Sequence, residues 1–164
     1  MSALALEERF RDAMRRTVSG VAVLATDGPA GRAGVTVSTL CSLSMEPPSV
    51  IACIHRASRA LPVMIENNAF TANVLAQDQR RVAESFAGQI PEYVEDRFAA
   101  GNWHELTTGA PVLEGVLAAF DCRVAEIFDF GSHRMVIGRV VDVTARDDVP
   151  LIYCDRAFRH LAHA

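Results

Sequence analysis

Residues 116–144 run VLAAFDCRVAEIFDFGSHRMVIGRVVDVT, and the reading of this stretch decides the fold. Apolar, β-branched and aromatic residues dominate both halves. Asp129-Phe130-Gly131-Ser132 interrupts them with turn chemistry, so Val116 to Phe128 and Arg134 to Thr144 are expected as two long strands joined by a hairpin loop. Working outward, Leu151-Ile152-Tyr153 adds a short strand on the C-terminal side. On the N-terminal side, Val18 to Thr26, Gly34 to Leu40, Ser49 to Ile54 and Phe70 to Leu75 each read as strands, separated by Asp27-Gly28-Pro29, Pro47-Pro48 and other breakers. Leu4, Leu6, Phe10 and Met14 recur at helical spacing, which predicts an amphipathic helix over residues 3–16. Further short helices are expected over Leu61 to Asn67, with Ser58 as N-cap, and from Asp78 to about Ala87. Residues 88–111 hold Gly88, Pro91, Gly101, Gly109 and Pro111, so a long connection with short helical pieces is expected there. Closely spaced strands without repeated strand-helix-strand alternation predict a mainly β fold, an antiparallel barrel with peripheral helices. No repeat or interdomain linker divides the chain, and residues 1–164 read as one domain.

Composition removes several function classes. The 164 residues carry 16 basic and 20 acidic side chains for a net charge of −4, which argues against nucleic acid as partner. Every basic residue is Arg, so Schiff-base chemistry, a pyridoxal phosphate linkage and a P-loop are all excluded. Met1 to Arg16 is charged rather than apolar, and no run reaches the length of a membrane span, so no membrane role and a cytoplasmic location are expected. Cys41, Cys53, Cys122 and Cys154 form no C-x-x-C pair and read as reduced thiols. Cys53-x-His55 lacks further ligands at zinc-like spacing and His160-x-x-His163 lies at a terminus expected to fray, so no metal site is expected. H-E-x-x-H, G-x-S-x-G and G-x-G-x-x-G after a strand are all absent.

The stretch from Gly34 through Thr36, Val37, Ser38, Thr39 and Cys41 to Ser44, followed by Pro47-Pro48 and Ser49 to Cys53, packs small hydroxyl residues densely along a strand. It reads as the wall of a flat ligand, or more plainly as a Thr/Ser-rich edge strand. Ser58-Arg59 before a helix suits a phosphate, or Ser58 is a plain cap. Asn73 is out of place in a strand pattern and is a candidate either for a ligand contact or for a bond to a neighbouring loop.

Together with Phe70-Thr71-Ala72-Asn73-Val74-Leu75, Gly131-Ser132-His133, Ile137-Gly138-Arg139-Val140 and Leu151-Ile152-Tyr153, these motifs resemble the flavin reductase family. Its members are the small NAD(P)H:flavin oxidoreductase components of two-component flavin-dependent monooxygenases. The resemblance runs from about Phe10 to Phe158 and implies an antiparallel split β-barrel of the FMN-binding type and a homodimer. It implies a flavoprotein enzyme that reduces FMN or FAD with NADH or NADPH, by hydride transfer from nicotinamide C4 to flavin N5. The reduced flavin would diffuse to a partner oxygenase.

By the same resemblance, Thr36, Val37, Ser38, Thr39, Cys53, Ser58, Arg59, Asn73, Leu75, Arg81, Ser85, Phe86 and Tyr153 would contact cofactor, and His133 would stand beside the nicotinamide as the catalytic residue. Two positions depart from the family pattern. Ala60 replaces a frequent hydroxyl residue, and Ser132 replaces the acid of Gly-Asp-His. Those departures support a competing reading, a flavin carrier or storage protein that does not catalyse reduction. A barrel serving only as a scaffold is a third reading, distinguished by failure to bind flavin.

Overall fold

The computed structural model describes residues 3–161. In chain order the elements are α1 (Ala3–Met14), β1 (Ser19–Gly20), β2 (Ala22–Thr26), β3 (Ala33–Val37), β4 (Cys41–Met45), β5 (Pro48–His55), α2 (Ala60–Asn67), β6 (Ala69–Val74) and α3 (Arg80–Phe86). After them come β7 (Trp103–Glu105), β8 (Pro111–Leu113), β9 (Ala118–Phe130), β10 (His133–Ala145), β11 (Ile152–Cys154) and β12 (Ala157–Arg159). Seven strands form one antiparallel sheet in the order β3-β2-β6-β9-β10-β5-β4, while β1-β11-β12 and β7-β8 form smaller sheets.

The connectivity forces this main sheet to curl. Its two edges, β3 and β4, are consecutive in the chain and joined only by Ser38, Thr39 and Leu40. Laid flat, seven strands about 4.8 Å apart would separate those edges by roughly 29 Å. Four residue steps from Val37 to Cys41 span at most about 14 Å. Bending is assisted by breaks in the β9–β10 register between Ile137 and Gly138 and between Val140 and Asp142. At Gly138 an added Cβ would lie 2.5 Å from the Phe70 ring and 2.8 Å from the Cys122 Cβ, so the absent side chain allows this close inner packing.

Alternation along the central strands feeds a core on each side of the sheet. Ala22 and Leu24 point into a cluster with Ile54, Leu61, Met64 and Phe70, which α2 covers. Val23 and Ala25 point to the other face, where Leu75, Phe86, Phe98, Val112 and Leu113 gather beneath α3. All five residues of β2 are buried, so Ala22 to Ala25 read as an unbroken apolar run rather than an alternating one, and the Thr26 hydroxyl donates to the Ala69 carbonyl at 2.7 Å.

Several boundaries move from their expected places. The strand expected to Leu40 ends at Val37, because the next three residues form the link between the two sheet edges. Arg59, not Ser58, occupies the N-cap position of α2, and no side chain caps that helix. Asp78 falls in a 3₁₀ turn, Gln77–Gln79, where Gln79 Oε1 accepts from the Ala76 amide; α3 starts only at Arg80. The 88–111 connection contains 3₁₀ turns at Pro91–Tyr93 and Arg97–Ala100, and also carries β7. The long hairpin closes more tightly than expected, with only Gly131 and Ser132 between β9 and β10 and Gly131 at φ 54°.

Candidate active site

A cavity of about 900 Å3 opens between β3, the start of α2 and residues 94–98. Thr36, Ser58, Arg59 and Phe86 of the expected site residues line it, joined by Arg32 and Arg97. Strand β3 is an edge of the sheet, so the outward main-chain groups of this strand are not taken by a neighbouring strand. Because Ala33 to Thr36 form part of the wall, this edge borders the cavity. The Thr36 hydroxyl itself is committed, donating to the Ala83 carbonyl of α3 at 2.6 Å. Three arginines against Glu95 and Asp96 give the lining a net positive charge, and Arg59 at the mouth of α2 is exposed. Ser58 is half-buried beside it. The arrangement therefore joins polar backbone, a phosphate-compatible corner and the apolar surface of Val35 and Val63 in one space.

Arg97 is held rigidly: its guanidinium donates to the Phe86 carbonyl at 3.0 Å, and its own carbonyl accepts from the Ser85 hydroxyl at 3.1 Å. These bonds dock the 94–98 segment against the C-terminal end of α3, where a cation is favoured. Gly34 permits the last close approach, since a Cβ there would lie 2.5 Å from the Phe86 ring.

Beyond the cavity, Val37 is buried, while Ser38 and Thr39 are exposed on the link between the sheet edges. The Thr39 hydroxyl donates to the Cys53 carbonyl at 2.8 Å and accepts from the Cys53 amide at 3.0 Å. At the tip of the sheet, His133 pairs across the ladder with His55, and the two rings meet edge to face at 5.1 Å. The His133 Nδ1 lies 2.8 Å from the Ser132 hydroxyl, and His55 Nδ1 accepts from the Ala57 amide at 3.1 Å. Ala57, two residues after His55, lines the cavity, whereas neither His55 nor His133 does.

Other expected contact residues have protein partners of their own. Asn73 is fully buried; its Nδ2 donates to the Val23 and Pro111 carbonyls and to Thr71 Oγ1, and its Oδ1 accepts from the Leu113 amide at 2.9 Å. It fastens β8 to the sheet. Leu75 is equally buried, with its amide donating to Val21 and its carbonyl accepting from Leu151. Ser85 is spent on Arg97 as described, and Tyr153 packs on Phe158 at 5.4 Å within the small sheet. Arg81 reaches outward, with Nε donating to the Tyr93 hydroxyl at 3.3 Å and its guanidinium over that ring at 5.2 Å. In the terminal histidine pair, His160 Nδ1 meets Gln77 Oε1 at 3.4 Å, while His163 lies outside the described residues.

Comparison with known proteins places these features in context. Residues 14–162 match the family model described as flavin reductase like domain. The chain is 42% identical over 156 residues to "FMN reductase (NADH) RutF 1" of Methylorubrum extorquens, covering 94% of this chain and 77% of that protein. It is 37% identical over 157 residues to "FMN reductase (NADH) RutF" of Cronobacter turicensis, covering 95% and 93%. Among solved structures, the flavin reductase PheA2 superposes with a TM-score of 0.88 at 28% identity, over 99% of this chain and 100% of that one. BorF, the flavin reductase component of a bacterial two-component tryptophan halogenase, superposes with a TM-score of 0.84 at 27% identity, over 96% and 99%.

Proposed function

Since the chain belongs to the flavin reductase like domain family, we propose that it reduces FMN or FAD at the expense of NADH or NADPH and releases the product to a partner oxygenase. The observation that carries this reading is the meeting of an edge strand and the Ser58-Arg59 corner in one cavity. The flavin and the nicotinamide supply the redox chemistry when bound; the chain supplies position and electrostatics. Arg59, with Ser58 beside it, holds the flavin phosphate. Outward amides of β3 face the polar edge of the ring system, where reduction concentrates negative charge, and so favour the reduced form. His133, oriented by Ser132 and by the ring of His55, positions the hydride donor. No side chain needs to act as acid, base or nucleophile.

The curled seven-stranded sheet, with its edges linked by three residues, supports assignment to the split-barrel architecture, carried by one domain over residues 1–164. A homodimer is part of the proposal. Met45 is 80% exposed and Phe130 79%, and Leu43, Phe128 and Val143 are also open, an apolar display that a second copy of the chain would cover. No described helix is long and apolar enough to cross a membrane, and the four cysteines are free thiols, which supports a reducing, cytoplasmic setting. Steady-state NADH consumption that depends on added FMN or FAD, and turns over many equivalents of it, tests the reading; binding without turnover would leave a carrier.

A further inference from the structure

The cavity beside β3 does not end at residues 94–98. A second cavity of about 470 Å3 adjoins it, and the two share Arg32, Asp96 and Phe98 as a common wall. Arg32 is the divider. Its guanidinium lies 4.3 Å from the centre of the Phe98 ring, and its Nε stands 3.4 Å from Asp27 Oδ2. Both partners of that ion pair are exposed, 43% for Arg32 and 38% for Asp27, so the pair contributes little and leaves the side chain free to adjust.

The platform beneath Arg32 is firmer. Phe98 meets Trp103 at 5.0 Å, and the Trp103 Nε1 donates to the Phe98 carbonyl at 2.9 Å. Asp96 is fixed through Oδ1, which accepts from the Phe98 amide at 3.0 Å. Charge divides between the two spaces. The first is lined by three arginines and two carboxylates, whereas the second has Arg32 alone against Asp96 and Glu114. The first suits a phosphate. The second suits an uncharged ring bearing amino hydrogens, which the carboxylates and Asn102 can accept.

Resting on the flavin reading above, we propose that the second cavity holds the adenosine half of a dinucleotide, with the adenine stacked on the Arg32 guanidinium. A planar cation already seated on an aromatic ring is a good surface for a purine. FAD and NAD(P)H both carry this adenosine, with the phosphate bridge lying on the arginine side of the divider. Arg32 is thus a specificity-determining residue that separates dinucleotides from their mononucleotide halves.

Equilibrium binding to the purified chain tests this, using flavin fluorescence for FMN and FAD and calorimetry for AMP and NADH. Arg32→Ala should loosen the adenosine-bearing ligand about tenfold more than FMN, which loses only one positive charge from the lining of the first cavity. Arg32→Lys, which keeps the charge but not the plane, should loosen the adenosine-bearing ligand about tenfold and leave FMN within about twofold. If FAD is the source, its affinity falls and AMP competes with FAD but not with FMN. If NADH is the source, FAD and FMN stay alike, and NADH binding to the FMN-loaded protein weakens. A lysine variant that behaves as wild type, a lysine variant that weakens FMN as much as the adenosine-bearing ligand, or no change for any ligand would overturn the inference while leaving the flavin reading standing. No binding of either flavin would overturn both.

Discussion

One hydroxyl, Thr39 Oγ1, takes both main-chain partners of Cys53, donating to its carbonyl at 2.8 Å and accepting from its amide at 3.0 Å. In the β4–β5 ladder Cys41 lies opposite Ile51, so Thr39 and Cys53 are the next facing positions in the same register. A side chain thus continues the ladder where the backbone leaves β4 to reach β3. Thr39→Val keeps the shape and removes both bonds, and should lower unfolding stability by about 1 kcal/mol, since water reaches this exposed site. Thr39→Ser should stay close to wild type. Urea unfolding of the three proteins checks the difference.

At the phosphate corner, Arg59 is exposed, and no described side chain caps the helix that it precedes. Arg59→Ala should weaken FMN binding about tenfold, the loss expected of a charge-assisted contact, and leave riboflavin, which has no phosphate, unchanged. Parallel fluorescence titrations with both flavins give the comparison. An equal loss for both would place Arg59 elsewhere in the site.

Gly138 sits where the β9–β10 register breaks, against Phe70 and Cys122. A methyl group there meets the Phe70 ring at 2.5 Å, and the ring is fully buried with little room to retreat. Gly138→Ala should therefore destabilise by about 1–3 kcal/mol, as overpacked cores do, and thermal unfolding should detect it.

The four thiols should divide by burial. Burial, and secondarily the charge of Asp121, pushes the Cys122 thiol up to about 12, so almost none is thiolate at pH 8. Cys41 is exposed, and Cys53 and Cys154 are partly so. A thiol-disulfide reagent at pH 8 should modify Cys41 first and spare Cys122 in the native protein. Denaturant should release the Cys122 reaction.

The long strands were legible because β-branched and aromatic runs flank a glycine turn, and the ends of β9 and β10 fall within two residues of their expected limits. Among the short ones β11 was legible from Leu151-Ile152-Tyr153, but β7, β8 and β12, with three residues each, gave too few positions for a periodic signal, and β4 was not expected as a strand. The turn before β12 is built from Asp155 and Arg156, at φ 51° and 60°, without the glycine that usually announces it. In the site, Ser58, Arg59 and Thr36 could be read from local pattern. Arg32 and Arg97 could not, because the packing of Phe98 and the end of α3 brings them to the cavity from distant segments. Asn73 stood out correctly as a misfit in a strand, but its purpose lay in β8, forty residues along the chain from its Leu113 partner.

The most direct test of the central claim is anaerobic stopped-flow absorbance of the protein with FMN or FAD and each of NADH and NADPH, following the flavin band at about 450 nm. Rapid loss of that band, slowed but not abolished by His133→Ala, is the predicted result. Flavin that binds and keeps its absorbance with both reductants would contradict the account.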